Sequence, residues 1–233
     1  TPTSTVETTP TPIVEFPSSE TPIIETPTGA LVITDTPIPF LQPYYTEEFD
    51  GDIANWFEFM SSGDARMVGK RLELGQLSID LLPMDDKLPW LYLINNSFAY
   101  SNVKAETLVV NRSVNATGVS VICRYGDIGW YEFLVSNSGF YEINVVDSAG
   151  IVKQGYTQLF KANSTAIKTG FTTNSYMITC KGNELSLFIN ETQVKTIVDN
   201  TFQFAEGKIG IAMSSPAALP VKVEFETITV SAP

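Results

Sequence analysis

The stretch that decides the fold runs from Thr117 to Val146 and reads TGVSVICRYGDIGWYEFLVSNSGFYEINVV. Apolar and polar residues alternate along most of it, a period of two that is typical of β-strands with one buried face. Residues 126–129 and 137–139 interrupt the alternation with Gly, Asp, Asn and Ser, which suit tight antiparallel turns. The stretch therefore predicts a meander of three strands, and its bulky apolar face requires a second sheet to cover it.

Further strands are predicted on both sides of this meander. The segments with strand-like patterns are residues 45–59, 68–79, 90–94, 103–110, 176–180, 185–189, 194–198, 209–213 and 221–230. In the last of them the apolar residues change parity after Phe225, which predicts a β-bulge near Glu226 and Thr227. No segment keeps a helical period over three turns. The sequence thus predicts an all-β, antiparallel sandwich of two sheets over residues 45–233.

Residues 1–44 differ from the rest of the chain and are predicted to be a separate region, an extended Thr/Pro-rich acidic N-terminal arm or stalk. The Thr-Pro pair recurs six times, a composition typical of glycosylated stalks and also of disordered linkers. Three short apolar groups favour an arm that pairs with the sheet edge of a neighbouring subunit. These groups contain Ile13, Val14, Phe16, Ile23, Ile24, Leu31, Val32 and Ile33.

Charge is divided unevenly along the chain. Residues 1–65 hold eleven of the 26 acidic residues and none of the 14 basic ones, and the whole chain carries a net charge of −12. A nucleic-acid partner is not expected, because binding phosphates requires a basic surface. No apolar run reaches the roughly 20 residues of a membrane-spanning helix.

An extracellular or cell-surface location is predicted from the start of the chain and from its sequons. The chain begins with Thr1 rather than Met, as expected of a secreted protein whose signal segment has been removed. Asn-X-Ser/Thr sequons are candidate glycosylation sites. They lie at Asn95, Asn111, Asn115, Asn163 and Asn190.

Several short motifs carry a resemblance to a known fold family. They are Glu48-Phe49-Asp50, Ile122-Cys123-Arg124-Tyr125, Trp130-Tyr131-Glu132-Phe133, Ile178-Thr179-Cys180-Lys181-Gly182-Asn183-Glu184-Leu185 and Gly207-Lys208-Ile209-Gly210. With them, residues 45–230 resemble the concanavalin A-like lectin/glucanase jelly roll, in particular the laminin-G-like, DUF1080-type extracellular domains of bacterial surface proteins. The resemblance implies a jelly-roll sandwich. It leaves the function open, because this fold hosts lectins, hydrolases, adhesion modules and passive spacers.

Cys123 and Cys180 are the only cysteines in the chain. Cysteines at matching positions of the resembled family are paired. Together with the Thr/Pro arm and the sequons, the resemblance implies a disulfide between Cys123 and Cys180. Two buried free thiols are the alternative.

Catalytic groups are sparse in this sequence. It contains no His, which removes the Ser-His-Asp and Cys-His arrangements and His-ligated zinc. Glycoside hydrolysis needs only two carboxylates, but the Glu-x-Asp-x-(x)-Glu strand of glucanases with the resembled fold has no counterpart here. Glu132 and Glu142 can face each other across neighbouring strands, where like charges are expected to lie in water. We therefore expect a protein without enzymatic activity and without a cofactor.

Two candidate ligand sites remain. Asp50 and Asp52 belong to an acidic cluster that is a candidate calcium site, although Asp-Gly-Asp is also ordinary turn chemistry. Trp90, Tyr92 and Trp130 are candidates for stacking on sugar rings, with packing in the core as the alternative role.

Two functions follow. The first is a non-catalytic extracellular structural protein, a cell-surface subunit that self-assembles into a homopolymer (filament, sheath or lattice) through strand donation by its N-terminal arm. The alternative is a lectin-like, carbohydrate-binding adhesion module on a Thr/Pro stalk, with glycans as partners.

Overall fold

The computed structural model describes residues 43–84 and 87–233, and the regular elements within them are β-strands apart from a short 3₁₀ turn at Ala65–Met67. The strands are β1 (Tyr45–Glu47), β2 (Trp56–Ser62), β3 (Val68–Leu72), β4 (Leu77–Leu81), β5 (Trp90–Asn95), β6 (Val103–Asn111), β7 (Gly118–Gly126), β8 (Gly129–Ser136), β9 (Phe140–Asp147), β10 (Gly155–Asn163), β11 (Thr173–Lys181), β12 (Glu184–Ile189), β13 (Thr192–Val198), β14 (Lys208–Ser214) and β15 (Val221–Ser231). The predicted strand-donating residues, from Ile13 to Ile33, lie outside the described part of the chain. Within that part, no helix is long and apolar enough to cross a membrane.

The strands form two antiparallel sheets. One sheet, the eight-stranded sheet, has the order β13-β12-β11-β6-β15-β4-β3, and β1 pairs with β15. The other, the seven-stranded sheet, has the order β10-β9-β8-β7-β14-β5-β2 and contains the predicted meander as β7, β8 and β9. The prediction of an all-β sandwich of two antiparallel sheets is confirmed.

The core lies between the two sheets, where alternate side chains of each strand meet. The side chains that fill it include Leu91, Leu93, Val121, Phe133, Ile143 and Ile211 from the seven-stranded sheet and Ile79, Ala105, Ile178, Leu187, Val223 and Phe225 from the eight-stranded sheet. The residues between these positions on the seven-stranded sheet project from its other side, which we call the outer face.

A bulge keeps the apolar side chains of β15 in the core. The register of β15 with β6 shifts between Phe225 and Thr227, so that Phe225 and Ile228 are both buried although their parity differs. The predicted bulge near Glu226 and Thr227 is therefore confirmed.

β10 has no counterpart among the predicted strands. Its register with β9 shifts between Gln158 and Phe160, so the alternation of its residues is interrupted in the middle of the strand. A pattern with a break at this point does not meet the criterion of a regular period of two. β10 nevertheless forms one edge of the seven-stranded sheet.

A disulfide bond between Cys123 and Cys180 links the two sheets. Cys123 lies on β7 in the seven-stranded sheet and Cys180 lies on β11 in the eight-stranded sheet, and both are fully buried. Their Cα atoms are 6.8 Å apart, and 57 positions of sequence separate them. The bond therefore ties the meander to the sheet that covers it.

The five sequons differ in how accessible their side chains are. Asn95 and Asn111 are buried, Asn115 and Asn190 are half-buried, and Asn163 is exposed. The amide nitrogens of Asn111, Asn115 and Asn190 also donate hydrogen bonds within the domain. A glycan requires this nitrogen at the surface, so the structure contradicts glycosylation at Asn95 and Asn111. Asn163 has the most accessible side chain of the five.

Removal of the disulfide is expected to lower the free energy of unfolding by about 4 kcal/mol, because the bond restricts the unfolded chain over a long loop. Urea unfolding of Cys123→Ala/Cys180→Ala beside the oxidised wild type measures this difference. Each single variant should be destabilised about as much as the double variant, since either substitution breaks the bond. Rapid alkylation of both thiols in the folded, unreduced protein is the outcome that contradicts the bond.

In a host that glycosylates sequons, the protein should carry a glycan at Asn163 and none at Asn111, because only the first side chain is exposed. The intact mass of the Asn163→Gln variant should be lower by one glycan than that of the wild type. Asn111→Gln serves as the control and should retain the glycan. A glycopeptide that contains modified Asn111 would refute this assignment.

Candidate functional site

The outer face of the seven-stranded sheet carries a second group of large apolar side chains. They alternate with core residues on the same strands: Tyr92 lies between Leu91 and Leu93 on β5, and Trp130 precedes Tyr131 on β8. This outer-face cluster consists of Tyr92, Ile94, Ile122, Trp130 and Ala212, with Phe59, Trp90, Tyr125 and Val146 packed against them. The solvent side of an antiparallel sheet is ordinarily polar, so an apolar outer face is a candidate ligand surface.

Small residues at the centre of the outer face allow large ones to extend across it. Gly210 and Ala212 on β14 pair with Ile94 and Tyr92 on β5, and Ala212 also pairs with Ser120 on β7. A Cβ atom on Gly210 would lie 2.5 Å from Cδ1 of Ile94. The long side chains of β5 therefore occupy the space above β14.

Stacked aromatic rings cover this face. The rings of Trp90 and Tyr92 are parallel within 1° with centroids 6.2 Å apart, and those of Tyr92 and Phe59 are parallel within 4° at 4.8 Å. Trp130 stands edge-on to Tyr92 at 5.7 Å. Tyr92 and Trp130 are consequently buried, with 1% and 7% of their surface exposed, whereas Trp90 is half-buried. Sugar stacking is contradicted for Tyr92 and Trp130, because neighbouring rings cover them, and stays a prediction for Trp90.

A cavity of about 260 Å³ opens beside Trp90, and we call it the Trp90 pocket. The rings of Trp90 and Tyr156 line it, with centroids 5.2 Å apart. The other lining residues are Gly118, Leu134, Ser136, Phe140, Glu142, Lys161, Ser214, Ser215 and Pro216. The pocket thus combines aromatic surface with hydroxyl, carboxylate and ammonium groups.

A hydrogen-bonded network connects the charged groups of the Trp90 pocket. Nζ of Lys161 donates to Oε1 of Glu142 at 2.6 Å and lies 4.3 Å from the ring centroid of Phe140. Nδ2 of Asn144 donates to Oε2 of Glu142 at 3.3 Å and to the hydroxyl oxygen of Tyr156 at 2.6 Å. Within the described residues, the buried Oδ1 of Asn144 has no hydrogen-bond partner. Both oxygens of the Glu142 carboxylate therefore have hydrogen-bond partners within the domain.

Tyr156 and Lys161 are not among the predicted site residues. Both lie on β10, the strand whose alternation the bulge interrupts. The signal in the sequence that could have identified them is a pair of opposite charges on neighbouring strands. Lys161 lies opposite Glu142 of β9, and oppositely charged residues in such positions often interact.

Glu132 is enclosed under the aromatic cover. Its side chain is fully buried, Oε1 accepts a hydrogen bond from Oγ of Ser120 at 2.5 Å, and Oε2 accepts one from the hydroxyl of Tyr92 at 3.0 Å. The pKa of Glu132 is raised from its ordinary value to about 7, mainly by burial and in smaller part by the negative charge of Glu142, although the hydrogen bonds oppose the shift. The expectation that Glu132 lies in water is wrong, because the small residues beneath the rings leave room for a buried carboxyl group.

The predicted calcium site has no support from the geometry. Asp50 and Asp52 are exposed, and Oδ1 of Asp52 accepts a hydrogen bond from the N–H of Ala54 at 2.9 Å. Residues 43–84 and 87–233 contain no group of three or more His, Cys, Asp or Glu side chains placed to hold a metal ion. Asp52 instead stabilises the turn between β1 and β2, which is the alternative to a calcium site.

Comparison with known proteins identifies relatives in structure but not in sequence. No protein-family model matches the sequence, and no curated protein matches it. Among solved structures, a laminarinase from Flavobacterium sp. UMI-01 is similar with a TM-score of 0.59 and 11% identity, over 80% of this chain and 98% of that one. A β-1,3-1,4-glucanase (lichenase) from a mouse hindgut metagenome has a TM-score of 0.58 and 11% identity, over 82% of this chain and 99% of that one. A β-glucanase from Bacillus licheniformis has a TM-score of 0.57 and 11% identity, over 82% of this chain and 98% of that one.

These similarities contradict two predictions made from the sequence. All three proteins are named as enzymes, so the exclusion of enzymatic activity does not hold for a chain that shares their fold. The main functional prediction, a non-catalytic self-assembling structural subunit, is likewise corrected, because these neighbours are named as enzymes and not as structural subunits. At this identity the comparison establishes the fold alone. The chain has the concanavalin A-like jelly-roll fold of lectins and glucanases.

Proposed function

We propose that the domain of residues 45–233 binds carbohydrate in the Trp90 pocket. The observation that carries this proposal is the placement of the accessible rings of Trp90 and Tyr156 beside the Glu142–Lys161 ion pair. Aromatic rings pack against the apolar faces of sugars, while carboxylate and ammonium groups bond to sugar hydroxyls. A ligand that presents both kinds of surface satisfies both parts of the pocket.

The size of the pocket limits how much of a glycan it encloses. Its volume of about 260 Å³ lies just below the range of about 300–1,000 Å³ that is typical of small-molecule sites. We therefore expect one or two sugar rings inside the pocket, with the rest of a longer glycan outside it.

We also propose that the domain is extracellular and that residues 1–44 display it. A buried disulfide persists in an oxidising compartment, which favours an extracellular location. Residues 1–44 would then serve as a Thr/Pro-rich stalk that displays the domain. The three glucanase and laminarinase structures support a carbohydrate ligand through their shared fold.

Trp90→Ala should weaken glycan binding by about tenfold or more, because it removes the half-buried aromatic wall of the pocket. Isothermal titration with oligosaccharides of laminarin and of mixed-linkage β-glucan measures the affinity. Phe57→Ala is the matched control, since Phe57 is an exposed aromatic residue of β2 that does not line the pocket. Equal affinity of Trp90→Ala and wild type would place the ligand elsewhere, and no binding of any glycan on a broad array would end the proposal.

Hydrolysis of a glycan is a second candidate function, favoured by Glu132 and Glu142. They lie on adjacent strands, and the raised pKa of Glu132 is typical of a general acid, with Glu142 as the second carboxyl group that hydrolysis needs. In the present arrangement, however, Tyr92 and Ser120 enclose both oxygens of Glu132. Release of reducing sugar by the wild type and its loss in Glu132→Gln would favour hydrolysis, and binding without release favours the pocket as a binding site.

The burial of Glu132 predicts how stability depends on pH. The folded protein holds the proton of Glu132 up to about pH 7, whereas the unfolded chain releases it near pH 4.5. The free energy of unfolding should therefore fall by about 3 kcal/mol as the pH rises from about 4.5 to above 7. Urea unfolding over this range tests the slope, and the Glu132→Gln variant should lack this contribution. A wild-type profile that is parallel to that of Glu132→Gln would contradict the buried, raised pKa.

A further inference from the structure

A second cavity, of about 310 Å³, lies at the end of β7, and we call it the Arg124 cavity. The β11–β12 turn and the loops before β6 and β14 surround it. Its polar lining residues are Ser101, Asn102, Arg124, Asn183 and Gln203. Among the described residues that line it, Arg124 is the one charged side chain and none is acidic, although the chain has a net charge of −12. It shares no lining residue with the Trp90 pocket.

Arg124 is a buried cation whose hydrogen-bonding capacity is only partly used. It is 2% exposed, Nη1 donates to the carbonyl oxygen of Phe204 at 2.7 Å, and Nη2 donates to that of Ser101 at 2.8 Å. Nε has no partner in the part of the chain that the structure describes. A guanidinium group carries five N–H donors, so donors remain after these bonds.

The charge of Arg124 is incompletely compensated. Over residues 43–84 and 87–233, no carboxylate forms an ion pair with it within 4.0 Å. Tyr131 and Asp199 both act favourably on its charge, and Cζ of Arg124 lies 5.9 Å from the ring centroid of Tyr131. The hydroxyl of Tyr131, however, already donates to the carboxylate of Asp199, which also accepts hydrogen bonds from the N–H groups of Thr201 and Gln203. Burial lowers the pKa of Arg124 from its ordinary value, as expected of a cation that has lost water without gaining a full partner.

The backbone around the cavity is held in an uncommon conformation. Arg124 and Gln203 have φ angles of +56° and +49°, in the left-handed region that side-chain-bearing residues rarely adopt. Such residues concentrate at functional sites because the surrounding structure must offset their cost.

We propose that the Arg124 cavity is an anion site that takes a small oxyanion, the carboxylate or sulfate group of an acidic sugar. The group would supply the negative charge that Arg124 lacks, and the hydroxyl and amide groups of Ser101, Asn102, Asn183 and Gln203 would bond to the rest of the ligand. This site goes beyond the binding of a glycan in the Trp90 pocket and does not depend on it.

Titration of the ¹⁵N-labelled protein with sodium glucuronate, with glucose as the matched neutral sugar, tests the proposal. Glucuronate should shift the backbone amide signals of Gly182, Asn183 and Gln203, and glucose should not. A separate titration with glucose 6-sulfate shows whether the site prefers a sulfate or a carboxylate group. Added salt should weaken the response, because one charge pair carries the selectivity.

Two variants at Asn183 test the site without changing the buried Arg124. Because Asn183 is exposed, its substitution is expected to leave the fold intact. Asn183→Lys should tighten glucuronate binding several-fold and Asn183→Glu should weaken it several-fold, because they change the charge beside Arg124 without removing it. Trp90→Ala should bind glucuronate as the wild type does, which separates this site from the sugar pocket. Equal shifts with glucose and glucuronate, no shifts with either anion, or no difference between the two Asn183 variants would overturn the proposal.

Discussion

The central strands of the seven-stranded sheet must be buried on both faces although only one face has a second sheet to cover it. Every residue of β8, from Gly129 to Ser136, is buried, and so are the first seven residues of β7. One face packs on the eight-stranded sheet. The other is covered by aromatic side chains from β2 and β5 that lie over Gly210 and Ala212. Aromatic side chains of β2 and β5 thus cover the outer face in the way that a further sheet or helix would.

This cover determines where a ligand has access. Above the middle of the sheet, Phe59, Tyr92 and Trp130 contact one another and exclude solvent from Glu132. At the side of β10 the row of stacked rings ends with Trp90 and Tyr156, and the Trp90 pocket opens there. Glu142 and Lys161 line this pocket, whereas Asn144 is buried behind them and bonds to Glu142 and to the hydroxyl of Tyr156.

The sequence predicts the fold better than it predicts the site, for a physical reason. Alternation along Thr117–Val146 reports which residues share a face, and turns and the parity change after Phe225 report where strands end or bulge. Alternation does not report what covers the second face, so Glu132 is predicted to be solvated although it is buried. It also fails where a bulge interrupts it, and the two site residues on β10 are missed for that reason.

The energetics of the cover favour binding over hydrolysis as the role of the outer face. For Glu132 to reach a substrate, Tyr92 must leave its contacts with Phe59, Trp90 and Trp130 and its hydrogen bond to the carboxyl group. Each of these three aromatic pairs contributes about 0.5–1.5 kcal/mol beyond its buried area, so opening costs roughly 1.5–4.5 kcal/mol before the hydrogen bond is counted. An equilibrium penalty of this size leaves an open state at about 7% or less of the population. The Trp90 pocket requires no such opening, because its aromatic walls and its Glu142–Lys161 pair already border an open cavity.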